Sequence, residues 1–448
     1  MIVRLTAVAA VAGITGALIS GCATPTASPA GPATVQLIGT DTPSGVRAQQ
    51  IVDMVNSDWP IGQNGVKTLA TSPLIDDVGI KLERLWFDRP LKVTRVEMGT
   101  DTAKLRLLTP YGARQDVEIH LDDDSTLVDR FDVELQPPTV ESWEDVDALL
   151  GGSGARYSYQ VSKVTNGRCE PVHGTNTSQS LPLASIFKLY VLYAVATAAE
   201  AGTLSWDEQL TITERGKAVG SSGLDELPIG ARVPVRTVAE KMIANSDNMA
   251  TDMLIDRVGT QAVERALVEA GHHDPASMTP FPTMHEMFSI GWGKPDMREQ
   301  WKAAVASGRA EERARLLSEA NSRPLEPDPE RTRSPASVFG AEWYGSAEDI
   351  CRVHAGLQAK AFGAAAPVRQ IVSVIPGIDL DAKQWPYVGA KAGNLPGDLT
   401  FSWYAEDRTG QGWVVSFQLN WPRFHGPNAA GWVLSIAKQV FALLPQTH

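Results

Sequence analysis

Cysteine is scarce in this chain, with three in 448 residues. Cys169 and Cys351 stand in no Cys-x-x-Cys pair and next to no histidine, so they offer no metal-ligand spacing. Buried small apolar side chains are their expected role, and a disulfide between them stays open in an oxidising compartment. Long apolar runs are missing after the first twenty residues, which leaves no later segment long enough to span a bilayer as a helix. Basic clusters are missing too, and the formal net charge is -12, which argues against a nucleic-acid partner, because phosphate contacts need Lys and Arg together. Two catalytic signatures are also absent. His285-Glu286 would need a histidine at position 289 to make a zincin helix, and Ser289 stands there; no Gly-x-Ser-x-Gly elbow occurs anywhere. No internal repeat is found, and neither a metal nor a cofactor is expected.

The 43% apolar and 21% charged content is that of a globular protein, and the length suits two domains after a leader. Arg4 and the apolar stretch from Leu5 to Ile19 read as an export signal. Ile19-Ser20-Gly21-Cys22 resembles a bacterial lipobox, so residues 1–21 are expected to be removed and Cys22 to carry a diacylglycerol; the alternative is a plain secretory signal with a chance cysteine. Residues 22–45, rich in Ala, Thr, Pro and Gly, suit a flexible tether. The expected location is the extracytoplasmic face of the cell membrane, through a lipid anchor at Cys22. Oligomeric state is left open.

Residues 46–136 read as a small α+β domain. A helix is expected over 46–56, where Val46, Ile51, Val52 and Val55 recur among polar residues, followed by strands over 92–98, 103–109, 115–121 and 126–134. Val117, Ile119 and Leu121 alternate with Glu118 and His120, which makes one sheet face wet. Pro137-Pro138 marks the boundary. A second domain is expected over 142–448. It has a helix at 143–150, a hairpin across 156–172, helices over 187–201, 235–258 and 347–359, strands at 399–405 and 412–420, and a closing helix at 431–444. A sheet built from both chain ends with helices between them is an α/β arrangement.

Three short motifs carry chemistry. In Ser185-Ile186-Phe187-Lys188 the i, i+3 spacing brings the Lys188 amine to the face of the Ser185 hydroxyl, a poor nucleophile until a base takes its proton. Ser185 would also begin a helix, whose free N–H groups favour the negative charge of acyl transfer. Ser246-Asp247-Asn248 can relay a proton to a leaving group and hold a substrate amide; the alternative is a helix N-cap. Lys391-Ala392-Gly393-Asn394 would edge the cleft as a strand. Lys391 would face a carboxylate, Gly393 would permit close approach, and the Asn394 N–H would join that of Ser185 as an oxyanion hole.

These motifs, in this order, resemble those of class A β-lactamases and related penicillin-recognising serine hydrolases, over about two thirds of the chain. The layout is also similar to that of a β-lactamase-like protein of clavulanic-acid clusters, in which a small cystatin-like or NTF2-like domain comes first. The resemblance implies a β-lactamase/transpeptidase-like fold, an antiparallel sheet flanked by helices. It also implies an acyl-enzyme on Ser185 with Lys188 as base, Ser246 and Asn248 as proton relay and substrate contact, and Lys391 as carboxylate partner. The substrate would be a β-lactam, ester, amide or peptidoglycan-derived molecule; binding of penicillin or cell-wall peptide without turnover is the rival reading, and a D,D-peptidase-like enzyme another.

Two departures stand out. Ala392 replaces the family's threonine, removing a hydroxyl whose hydrogen bond contributes roughly 1 kcal/mol. The family's deacylating Glu-x-x-Leu-Asn stretch has no counterpart between Asn248 and Lys391; the nearest candidate, Glu286, sits in Thr283-Met284-His285-Glu286, which is also a capping box. The run from Gly293 to Pro335, dense in Arg and Glu, is expected to be either a lid or a solvated pair of surface helices.

Overall fold

The structure, a computed structural model, describes residues 34–444, so the leader, Cys22 and the first half of the tether lie outside the described residues. Contacts divide the chain into two units. One runs up to Gly154 and adds His425–Leu443; the other is Ala155–Phe424.

The first unit begins with three helices, α1 (Pro43–Asn56), α2 (Gln63–Leu69) and α3 (Ile75–Phe87). Thr42 caps α1 by accepting from the Gly45 N–H, and Pro43 occupies the first turn, where a missing N–H costs nothing. The spacing of Val78, Leu82 and Leu85 puts the apolar face of α3 into the core, an element the sequence reading passed over. The meander β1 (Lys92–Met98), β2 (Thr102–Leu108), β3 (Arg114–Leu121) and β4 (Val128–Gln136) is antiparallel and sequential. Val117, Ile119 and Leu121 are buried as expected, while Glu118 on the other face pairs with Lys104 and Arg130. Helix α4 (Trp143–Gly151) follows, closed at its start by a Ser142–Asp145 capping box.

The second unit holds a five-stranded antiparallel sheet. In chain order its elements are β5 (Arg156–Thr165), β6 (Arg168–Thr175), β7 (Leu181–Pro182), α5 (Lys188–Glu200), β8 (Gln209–Thr211), α6 (Glu214–Ala218), β9 (Arg232–Pro234), α7 (Val235–Ala244), α8 (Asn248–Val258) and α9 (Thr260–Glu269). Then come α10 (Met284–Trp292), α11 (Arg298–Ser307), α12 (Ala310–Asn321), β10 (Tyr344–Gly345), α13 (Ala347–Lys360), α14 (Pro367–Ser373), β11 (Tyr387–Leu395), β12 (Asp398–Glu406) and β13 (Gly412–Asn420). The sheet order β11-β12-β13-β5-β6 joins both ends of the unit and leaves β11 on an edge. Helix α5 is buried nearly all round, as its run Leu189-Tyr190-Val191-Leu192 requires, and forms the axis of the helical core.

The expected continuous helix over 235–258 is two helices. The chain breaks at Ser246, whose φ of 54° lies in the left-handed region, and restarts with Asp247 as N-cap. Cys169 on β6 and Cys351 on α13 form a disulfide across 182 residues, which corrects their reading as separate apolar side chains. The reason is tertiary: α13 packs over β5, β6 and β13. The run after Gly293 forms α11 and α12, and both bury apolar faces (Trp301, Ala304, Leu316, Leu317), so neither is merely solvated.

The last helix, α15 (Pro427–Leu443), groups with the first unit, whereas the sequence reading placed it in the second. Gln439 accepts from the Val140 N–H and donates to the Pro138 carbonyl, Trp432 packs against Tyr111, and Asn428 donates to the buried Asp88. Each partner lies far away in sequence, so no local pattern announces the grouping.

Candidate active site

Ser185 lies in a 3-10 turn, Ala184–Phe187, that runs directly into α5. Ala184, just before it, has a φ of 43°, a conformation that costs a non-glycine residue about 1–3 kcal/mol and must be held by its surroundings. The neighbouring Thr400 hydroxyl bridges the Leu183 and Gly393 carbonyls at 2.9 and 3.2 Å, tying the turn to the edge of the sheet. At Gly393 the approach is so close that a Cβ would lie 2.5 Å from Ser185 N and 2.7 Å from Thr400 Oγ1. Only glycine therefore leaves room beside the Ser185 N–H. The next residue, Asn394, is exposed on edge strand β11.

Lys188 is fully buried at the start of α5. Its Nζ donates to the Ser246 carbonyl at 2.6 Å, to Ser246 Oγ at 3.2 Å and to Asn248 Oδ1 at 2.8 Å. Lys391 is buried as well, and its Nζ donates to Ser246 Oγ at 2.9 Å and to the Ala392 carbonyl at 2.5 Å. The structure thus brings Lys188, Ser246, Asn248 and Lys391 into one hydrogen-bonded cluster. It does not join Ser185 to Lys188: among the described residues no hydrogen bond links the Ser185 hydroxyl to that amine, which turns toward α8 instead.

Burial lowers both lysines. Loss of solvation pulls Lys188 down to about 7, against the opposing pull of Asp247 and Asp252, while Lys391 is pushed well below the usual lysine range by burial and then by the charge of Lys188. A charged Lys188 spends its three N–H donors on Ser246 and Asn248, so only the neutral amine has a lone pair to accept a proton.

The Ser-Asp-Asn triplet divides its work. Asp247 is the N-cap, accepting from the Ala250 N–H at 2.8 Å, and its other oxygen accepts from the Ser222 N–H at 2.8 Å and from the Ser221 hydroxyl. The capping alternative thus holds for Asp247, while its two neighbours meet the lysines. Asp252, which the sequence reading missed, is buried and accepts from the Met284 and His285 N–H groups at 2.7 and 2.9 Å, fastening α10 to α8. Burial pushes it up to about 7 despite those bonds. Its signal was weak, an aspartate five residues after Asp247 within an otherwise ordinary helix.

Glu286 closes a capping box. Its Oε2 accepts from the Thr283 N–H at 2.8 Å and its own N–H donates to Thr283 Oγ1 at 3.2 Å. Among the described residues no hydrogen bond ties Glu286 to Ser185 or Lys188, so a deacylating role is not what its contacts serve.

One group has the composition of a metal site: His272, His273 and Asp349 present ligand atoms within 4.8 Å of one another. Its donors are already engaged. His272 Nε2 donates to the Tyr344 carbonyl at 2.9 Å and its Nδ1 accepts from the Asp274 N–H at 3.1 Å; Asp349 closes the cap of α13 with Ser346 and accepts from the His273 N–H and Arg352. This cluster braces α13 and holds no free ligand set.

Residues 141–317 match a family model described as the beta-lactamase enzyme family, and residues 38–127 match one described as the ORF 12 gene product N-terminal domain. A search of curated proteins returns no match. Among solved structures, a β-lactamase from Sphaerobacter thermophilus is similar at 20% identity over 65% of this chain and 94% of its own, with a TM-score of 0.44. A β-lactamase from Burkholderia phymatum is similar at 16% identity over 67% and 97%, with a TM-score of 0.47. A PBP-A variant, solved as its acyl-enzyme with penicillin G, is similar at 17% identity over 65% and 92%, with a TM-score of 0.42.

Proposed function

We propose, for a chain whose residues 141–317 match the model of the beta-lactamase enzyme family, that Ser185 is acylated by a β-lactam, ester or amide. The observation that supports this most is the Ser246 hydroxyl held between two buried lysines, beside a serine whose N–H only Gly393 can flank.

In this reading neutral Lys188 takes the Ser185 proton as Oγ attacks the carbonyl carbon. The carbonyl electrons move to oxygen, which the Ser185 and Asn394 N–H groups stabilise. Collapse of the tetrahedral species expels the leaving nitrogen or oxygen, which takes the Ser246 proton; Ser246 is recharged from Lys188, whose amine lies 3.2 Å from its Oγ. Lys391 supplies the positive end of the cleft. An anionic substrate favours its charged form and so reverses the effect of burial. Asn248, once its contact to Lys188 relaxes, can bind the substrate amide.

Deacylation has weaker support, because Glu286 is engaged as a cap. That observation favours a second reading, a protein acylated readily and released slowly. The two are separated by intact-mass spectrometry followed over time after mixing with a penicillin, a cephalosporin and a simple ester. An adduct on Ser185 that forms and clears as product accumulates means a hydrolase; one that persists means a penicillin-binding or sensor role; none at all overturns acylation. We further propose attachment to the extracytoplasmic face of the cell membrane through lipidated Cys22. Among the described residues no helix is long and apolar enough to cross a membrane. Loss of metabolic lipid labelling in Cys22→Ala is the expected outcome.

A further inference from the structure

We propose that a cavity in the second unit, between the 274–282 loop and helices α11 and α12, is a ligand site for a small monocarboxylate with an apolar body. The cavity has a volume of about 500 Å³, within the size range of small-molecule sites. None of Ser185, Lys188, Ser246 or Lys391 lines it, so the inference is independent of the proposed function.

Two charged residues in its wall are buried, Arg313 at 7% exposure and Glu342 at 5%. Arg313 is held by donating from Nη2 to the Ala276 and Thr279 carbonyls at 2.9 and 2.5 Å. Its Nε–H has no acceptor among the described residues, and no carboxylate pairs with it. A buried guanidinium without a counter-ion is unfavourable, and a ligand carboxylate would supply one. Glu342 does not fill that role. Its Oε1 accepts from the Trp343 N–H at 2.9 Å, its Oε2 has no partner among the described residues, and burial, with nearby Asp398, pushes its carboxyl well above the usual carboxylate range. The Arg313 Nε–H is the donor that suits an anionic acceptor, and a carboxyl so raised favours the protonated form, which donates as well. Helix α12 starts in the same wall, at Ala310, without a side-chain cap, which adds open N–H groups of the same polarity. Opposing charge comes from Asp274, exposed at the rim and engaged with the Ser277 N–H, and from Glu311 and Glu312 in the first turn of α12, which do not line the cavity. Met278, Met287, Trp301 and Val305 supply the apolar remainder, with two methionines able to adjust to the ligand.

The test is a titration of the full chain, carrying ¹³C-methyl methionine, with phenylacetate as probe and phenylacetamide as its uncharged match. Saturable shifts are expected at the Met278 and Met287 methyls, with the amide at least tenfold weaker. Arg313→Gln should weaken phenylacetate at least tenfold. Because that substitution also removes the bonds holding the 274–282 loop, Val305→Trp is the second variant: it keeps the guanidinium, fills the cavity and should abolish the shifts while the other methionine signals persist. The proposal is overturned if the amide binds as well as the acid, if Val305→Trp leaves binding intact, or if no saturable shift occurs at these methyls up to about 20 mM, beyond the usual range of specific binding. Shifts confined to Met249 and Met284 would place the carboxylate elsewhere and overturn it equally.

Discussion

Lys188 and Lys391 both hydrogen-bond the hydroxyl of Ser246, at 3.2 and 2.9 Å. One oxygen between two buried amines is a route for a proton only if a hydroxyl is there. Ser246→Ala should therefore slow acylation of Ser185 by about 10²–10⁴-fold while leaving the fold intact. Labelling rates with a fluorescent penicillin measure this, and an unchanged rate would remove Ser246 from the relay. Ser185→Ala should abolish labelling altogether.

Burial brings Lys188 down to about 7, so its neutral fraction grows as pH rises through that value. The base is the neutral amine. Acylation should accordingly increase about tenfold per pH unit on the acid side and level off above neutrality. A stopped-flow profile flat across neutral pH would show that the base lies elsewhere.

A methyl group at Gly393 would sit 2.5 Å from Ser185 N. Gly393→Ala is expected to cost about 10²–10³-fold in acylation by displacing the oxyanion donors, with a stability loss of about 1–3 kcal/mol from overpacking. The two readouts, labelling rate and denaturation midpoint, separate these effects; full acylation would mean that the carbonyl oxygen binds elsewhere.

Glu286→Ala should lower stability by roughly 0.5–2 kcal/mol through loss of the cap, without lengthening the life of an acyl adduct. An adduct that survives more than about tenfold longer would instead identify Glu286 as the deacylation base.

The Cys169–Cys351 disulfide closes a 182-residue separation. Replacing both cysteines by alanine should cost about 2–5 kcal/mol, read from urea unfolding. Equal stability of the two forms would show that the bridge adds little to the packing of α13.

Much of the site was legible because it is written at short range. The spacing of Ser185 and Lys188, the capping residues Thr283 and Glu286, and the glycine at 393 each follow from helix period, cap chemistry or backbone sterics, which act over a few residues. The strands were legible too: 92–98 and 412–420 coincide with β1 and β13, since alternation and turn residues mark them locally. Helix α3 was overlooked because its apolar face is spaced among charges, and the break at Ser246 was missed because nothing in Asn245-Ser246-Asp247 demands a left-handed φ.

What the sequence by itself determined is therefore the set of reactive groups and the local frames that carry them. The tertiary structure alone decided which groups meet. It turned the Lys188 amine toward Ser246 and Asn248, brought Lys391 to the same hydroxyl, paired Cys169 with Cys351, set Asp252 under the start of α10 and returned α15 to the first unit. The physical reason is that each of these contacts joins residues far apart in the chain. Sheet register and helix packing over whole units choose such partners, and no window of sequence contains both sides of the choice.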